Sequence, residues 1–144
     1  MKTQSKSRIL FLDVDGVLNS HKTGGRYPLK KNCLRRLQRI VEETSCEIVL
    51  SSTWRLDEYA FKRLCTVLSY RGIRILDKTI RIPSGPRGLE IAEWLHRNPT
   101  EKYAILDDDS DMLDNQLKHF FQTDGDYGLT DTITYRVIFH LTND

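Results

Sequence analysis

The sequence predicts an α/β fold around a mostly parallel sheet. Short apolar runs at Ile9–Leu12, Glu47–Leu50 and Lys102–Leu106 each stop at a polar cluster, and stretches of helical periodicity lie between them. A continuous apolar run reads as a strand buried on both faces. Strands that alternate with helices pair in parallel through right-handed crossovers. At 144 residues the chain is expected to form one domain, 1–144, with a single core.

Taken in order, residues 1–7 are polar and are expected to form a flexible end. After the first strand, Ser20 to Pro28 holds Gly24-Gly25 among polar residues and reads as a loop or small hairpin. Apolar residues at 29, 33, 34, 37, 40 and 41 predict a helix over Leu29–Glu43, whose other face carries Lys31, Arg35, Arg36 and Arg39. Such a face is ordinarily solvated, and anion binding is the sharper alternative. Glu47–Leu50 is the second strand, and a second helix is expected from Arg55 to Tyr70, ended by Gly72. Ile73–Leu76 reads as a short strand and Asp77–Gly85 as a loop. Pro86 is placed for the first turn of a helix to about Arg97. Lys102–Leu106 is a strand, and His119–Gln122 is a candidate last one. Thr132–Phe139 is ambiguous, being β-branched and aromatic, while Asp131 is a candidate helix cap.

Three strand ends carry polar residues suited to one site: Asp13 and Asp15, then Ser51 and Ser52, then Asp107 and Asp108. In a parallel sheet these ends share an edge, which is where open α/β sheets bind ligands. On a strand of period two, Asp13 and Asp15 point the same way. Two like charges so close repel unless a cation or a shared proton lies between them. An Asp-x-Asp pair alone also ends ordinary strands with both carboxylates in water. Gly16 lets the chain turn sharply after the pair. Between the second and third clusters comes Arg87, with Arg81 as competitor; at a helix start its charge opposes the helix dipole. Asp109 and Asp111 are candidate helix caps.

The net charge of +2 permits an anionic partner without arguing for one. Cys33, Cys46 and Cys65 are odd in number and widely spaced, which suggests reduced thiols in a cytoplasmic protein. His21, His96, His119 and His140 are scattered, so a zinc ligand set is not expected. No stretch reaches the length of a membrane span, and the first apolar run is too short for a signal peptide.

The motifs Phe11-Leu12-Asp13-Val14-Asp15-Gly16-Val17-Leu18-Asn19, Leu50-Ser51-Ser52-Thr53-Trp54-Arg55, Arg87-Gly88-x-Glu90-Ile91-x-x-Trp94-Leu95 and Ile105-Leu106-Asp107-Asp108-Asp109 stand in that order. Together they resemble the haloacid dehalogenase (HAD) superfamily, and most closely the small HAD-domain group found free-standing and within RNA-repair proteins. The resemblance covers about residues 8–115. It implies a three-layer Rossmann-like fold, and it favours a helix at the C-terminus. It further implies a phosphomonoester hydrolase working through an aspartyl-phosphate. Asp13 would be the nucleophile and Asp15 the general acid and then base. Mg²⁺ would be held by Asp13, the Asp15 backbone carbonyl and a carboxylate from Asp107 or Asp108. Ser51, or its competitor Ser52, would bind a phosphate oxygen, and Arg87 would balance charge during transfer. Gly16, Arg26 and Arg55 are further substrate-binding candidates, Arg55 reading equally as a surface residue. Ile91 and Trp94 read as core.

HAD enzymes that act on small metabolites usually carry a cap domain inserted after the first or second motif. Here only about 35 residues separate Asp15 from Ser51, and the interval from Ser51 to Arg87 is equally short. No sizeable cap fits, so the site is expected to be open and suited to a large substrate. His21, Lys22, Arg26 and Arg55, with the basic helix, point toward a polynucleotide end. The leading expectation is therefore removal of a terminal 3′-phosphate from RNA or DNA, in functional association with a nucleic-acid ligase or kinase. The alternatives are a phosphatase of nucleotides or other small phosphoesters, and a non-catalytic phosphate- or metal-binding module resembling a receiver domain. Asp15 argues against the last, because receiver domains lack an acid two residues after the nucleophile.

Overall fold

The apolar run that opens the chain becomes the central strand of the sheet. In the computed structural model, which describes residues 7–143, β1 (Arg8–Leu12) lies between β2 (Glu47–Leu50) and β4 (Lys102–Asp107). β3 (Ile75–Lys78) and β5 (Phe120–Gln122) flank them, giving the order β3-β2-β1-β4-β5 with every neighbouring pair parallel. Alternation along β1 sorts the core into two layers. Leu10 and Leu12 pack with Leu37 of α1 (Lys31–Thr44), Leu64 of α2 (Glu58–Ser69) and Val137 of α4 (Asp131–Thr142). Ile9 and Phe11 pack on the other face with Ile91 and Trp94 of α3 (Arg87–Arg97). Phe11 meets the rings of Trp94 and Tyr103 edge-on at 5.5 and 5.9 Å. The fold is thus three-layered, as expected, with Ile91 and Trp94 buried.

The chain winds outward from β1 through β2 to β3, then returns across the sheet to β4 and β5. Its direction reverses between β1 and β4, where the C-terminal strand ends form a crevice. Register places the site residues at one level. Leu12 pairs with both Leu50 and Leu106, so Asp13, Ser51 and Asp107 leave their strands side by side. The Ser51 and Asp13 N–H groups donate to the Leu12 and Leu106 carbonyls, each at 3.0 Å, and lock that alignment.

Several boundaries move for local reasons. The helix expected over Arg55–Tyr70 is split into a 3₁₀ turn, Thr53–Leu56, and α2, because Asp57 stays extended and its carboxylate accepts from the Ala60 N–H at 3.0 Å. The strand expected at Ile73–Leu76 is shifted to Ile75–Lys78, and a 3₁₀ turn, Asp114–His119, occupies the residue before β5. The ambiguous C-terminal segment is helix α4. Thr130, not Asp131, caps it by accepting from the Ile133 N–H at 3.4 Å. Asp111 accepts from the Arg87 N–H at 2.9 Å and so caps α3 from across the crevice, not a helix of its own segment. The end expected to be flexible lies outside the described residues except for Ser7, whose carbonyl accepts from the Lys102 N–H. Among the described residues no helix is long and apolar enough to cross a membrane.

Candidate active site

Asp13 and Asp107 emerge from neighbouring strands, and Asp108 follows directly. One carboxylate oxygen from each of the three lies within 4.8 Å of the others. Asp13 and Asp107 are buried and Asp108 half-buried. Burial pushes the Asp13 carboxyl up to about 6 and the Asp107 carboxyl to about 8, the latter driven further by the negative charge of Asp13. Both carboxyls therefore lie above the ordinary carboxylate range, and the two titrate as a coupled pair. An all-oxygen, acidic donor set of this kind fits a hard divalent cation such as Mg²⁺.

Arg87 completes the cluster. Its Nη1 lies 3.4 Å from Asp13 Oδ1 and 3.2 Å from Asp107 Oδ2, and its Nε lies 3.6 Å from Glu90. Its competitor Arg81 is exposed, at the rim of a 220 Å³ cleft beside Arg87. Glu90 is buried and in turn holds Arg55, with Arg55 Nη2 at 3.0 Å from Glu90 Oε1. Arg55, expected either as a phosphate ligand or as a surface residue, is not at the surface. Its side chain is 2% exposed and donates to the carbonyls of Ser51, Ser52, Thr79 and Ile80 besides Glu90. With its N–H groups so engaged it braces the loop after β2 against α3.

That loop separates the two serines. Ser52 Oγ accepts from the Trp54 N–H at 3.1 Å and caps the 3₁₀ turn. Ser51 Oγ is buried with no hydrogen-bond partner among the described residues, an orphaned hydroxyl beside the cluster. Buried hydroxyls are normally satisfied, and among the described residues Thr79 Oγ1 is the other buried side-chain oxygen in this state.

Asp15 is not on the strand, which ends at Leu12, so a period of two does not govern its direction. It opens a turn in which the Val14 carbonyl accepts from the Val17 and Leu18 N–H groups. Its carboxylate is exposed and gripped from both sides. Asn19 Nδ2 donates to Oδ1 and Trp54 Nε1 to Oδ2, each at 3.1 Å. Asn19 also accepts from the Gly16 N–H and donates to the Pro28 carbonyl. Gly16 has φ of 81°, and a Cβ there would fall 2.2 Å from Asp108 Oδ2. Glycine is thus required for the turn and for the approach of Asp108.

The flanking basic residues divide. His21 reaches the cluster, with Nε2 3.5 Å from Asp108 Oδ2. Arg26 instead lies over the rings of Tyr27 and Tyr59, at 5.5 and 5.3 Å. On the basic face of α1, Arg36 pairs with Asp131 at 2.8 Å and Arg39 with Glu43, so those charges serve helix packing and are not aimed at the crevice. The roles of Asn19, Trp54 and Glu90 were not predicted. All three stand inside the quoted motifs, which is the signal that marked them.

A family described as the HAD domain in Swiss Army Knife RNA repair proteins matches residues 9–133. The chain belongs to this family. Membership supports a HAD-type phosphatase as the general activity, and HAD domains generally use Mg²⁺. No curated protein and no solved structure matches the chain.

Two outcomes follow from this HAD domain's geometry. Arg55→Ala removes the shortest ion pair of the buried Glu90 and the donor to four buried-loop carbonyls, and should lower unfolding free energy by ~3–5 kcal/mol in urea titrations. The acidic pair holds a proton that the unfolded chain releases near pH 4, so its folded pKa values lie above the unfolded ones. Stability in EDTA should then fall as pH rises from about 4 through about 8. Excess Mg²⁺ should remove that slope, as followed by Tm across the range; a flat EDTA profile would contradict the raised pKa values of the pair.

Proposed function

We propose that this HAD domain is a Mg²⁺-dependent phosphomonoester hydrolase that removes a terminal 3′-phosphate from RNA or DNA ends. The observation that carries the reading is the convergence of Asp13, Asp107, Asp108 and Arg87 at a strand edge with no inserted cap above it. A domain family from RNA repair proteins supports the substrate class.

Asp13 is the nucleophile. An oxygen of its carboxylate attacks phosphorus, the bond to the sugar oxygen breaks, and an aspartyl-phosphate forms. Asp15 delivers a proton to that leaving oxygen, then takes one from the water that hydrolyses the acyl phosphate and regenerates Asp13. Each Asp15 oxygen accepts one N–H, from Asn19 or Trp54, which leaves a lone pair to carry the proton. Asp13, Asp107 and Asp108 would hold Mg²⁺, which neutralises the crowded carboxylates and the phosphoryl oxygens when bound. Arg87 stabilises the charge spread over the transferring group, and the Ser51 hydroxyl donates to one of its oxygens. The free thiols of Cys33, Cys46 and Cys65 support a reducing, cytoplasmic setting. The product, a 3′-hydroxyl end, is what a ligase partner would join to a 5′-phosphate, the group that a kinase partner would supply.

Phosphate release from a 3′-phosphorylated oligonucleotide should exceed that from 5′-phosphorylated and mononucleotide controls. It should stop in EDTA and fall on the order of 10⁴-fold or more in Asp13→Asn. Faster turnover of the mononucleotide would overturn the polynucleotide substrate while leaving the chemistry. Trp54→Phe keeps the ring and removes the N–H to Asp15, so kcat should drop about 10- to 100-fold with KM little changed. Unchanged kcat would remove Trp54 from the positioning of Asp15.

A further inference from the structure

A second recess lies away from the acidic cluster, along the outer edge of the sheet. It is a groove of about 940 Å³ between β5 and α4. Phe120, Phe121, Tyr135 and Phe139 give it aromatic walls, and Lys102, Lys118 and Arg136 stand around it. Among the described residues that line it, none is acidic. Phe139 is 68% exposed and Tyr135 58%, and they stand together on one face of α4 beside the aromatics of β5. Tyr135 already carries the Arg39 guanidinium on its ring at 4.4 Å, so Phe139 offers the freer face.

The groove has a direction. One end is marked by Lys102, the first residue of β4, and by the last turn of α4, where His140 Nε2 lies 3.0 Å from the Tyr103 carbonyl oxygen. The other end is Gln122, the last residue of β5. Gln122 pairs in register with Asp107, and its Nε2 donates to the Asp108 carbonyl at 3.0 Å. The recess thus runs along the sheet edge and ends beside the acidic crevice.

We propose that this groove is a binding track for a single-stranded polynucleotide whose phosphorylated terminus enters the crevice at Asp13. Exposed aromatic rings interleaved with cations suit stacked bases and a phosphate backbone, in a way that tolerates any sequence. The absence of carboxylates from the lining favours a polyanion over a basic peptide. Such a track also supplies what an uncapped site lacks, a surface that selects a long substrate over a small phosphoester. The track rests on the phosphatase reading only for the fate of the strand's end; binding along it does not.

The test separates the two. A labelled, unphosphorylated single-stranded RNA is titrated by fluorescence anisotropy against wild type, K118E/R136E and F139A over a range of salt, with Tm confirming that the surface variants fold. F139A should bind about tenfold more weakly. K118E/R136E should weaken binding at least as much and make the log–log salt slope shallower by about 1.4, that is ~0.7 for each lost phosphate contact. Turnover of a 3′-mononucleotide should be unchanged in both, while KM for a 3′-phosphorylated oligonucleotide rises. RNA binding that is absent, or equal in all three proteins, would overturn the track. So would a concentration-dependent dimer dissolved by F139A with RNA binding intact, which would give the groove to a second copy of the chain. Groove-dependent RNA binding without 3′-phosphate release would leave the track standing and the phosphatase reading fallen.

Discussion

Asp13 and Asp107 are two carboxylates held side by side in a region that water scarcely reaches, and most of the local architecture answers to that constraint. Separately each would ionise near pH 4; together and buried, both are pushed upward. Such crowding is unfavourable unless something offsets it. Arg87 supplies one positive charge, touching both carboxylates. A divalent cation drawing on Asp108 as well would supply the rest. The fold makes the crowding unavoidable: Asp13 and Asp107 leave adjacent strands at one level, fixed by the backbone ladder on either side of Leu12.

Behind this pair lies a chain of buried charge that carries position from one loop to the next. Glu90 accepts from Arg55 and from the Ile82 N–H, and stands beside Arg87. Arg55 grips the carbonyls that follow Ser51 and Ser52. The loop after β2, the segment before α3 and the start of α3 are therefore tied through a single carboxylate. Charges buried with their hydrogen bonds satisfied add little net stability, but they specify geometry, and loss of one partner leaves a costly orphan. An arginine that reads in sequence as a ligand for phosphate thus acts one step back, by shaping the loop that presents the Ser51 hydroxyl.

The parts of this molecule legible in sequence are those set by local pattern. The uninterrupted apolar runs ending at Leu12, Leu50 and Leu106 disclosed both the parallel sheet and the edge that collects Asp13, Ser51 and Asp107, because polarity changes abruptly there. Arg87 stood out by its misfit at a helix start. What stayed hidden depends on contacts remote in sequence. Whether Arg55 faces solvent or interior is decided by Glu90 and by the carbonyls of Thr79 and Ile80, far along the chain. The direction of Asp15 depends on an indole 39 residues away, and Asp111 caps a helix 24 residues before it. The break between the 3₁₀ turn and α2 was local and readable, since Asp57 is a strong cap followed by helical periodicity. The apolar spacing that spans both pieces concealed it.

The uncapped edge also shifts where selectivity has to reside. A lid sequesters a small phosphoester and lets closure discriminate; an open crevice holds only the phosphoryl group, and every phosphomonoester offers the same one. Recognition must then come from surfaces beyond the crevice, and the charges nearest to it are poorly available for that. Arg55 is engaged by the scaffold, Arg26 lies over two tyrosine rings, and Arg36 and Arg39 pair within the helical layer. His21 sits against Asp108 itself. Lys102, Lys118 and Arg136 stand with exposed aromatics along β5 and α4, and the last residue of β5 touches the acidic loop. A short edge strand ordinarily needs only to be blunted against aggregation, for which lysine suffices. The accompanying aromatic walls exceed that need, and they are what the proposed track would use to hold a strand whose end enters the crevice.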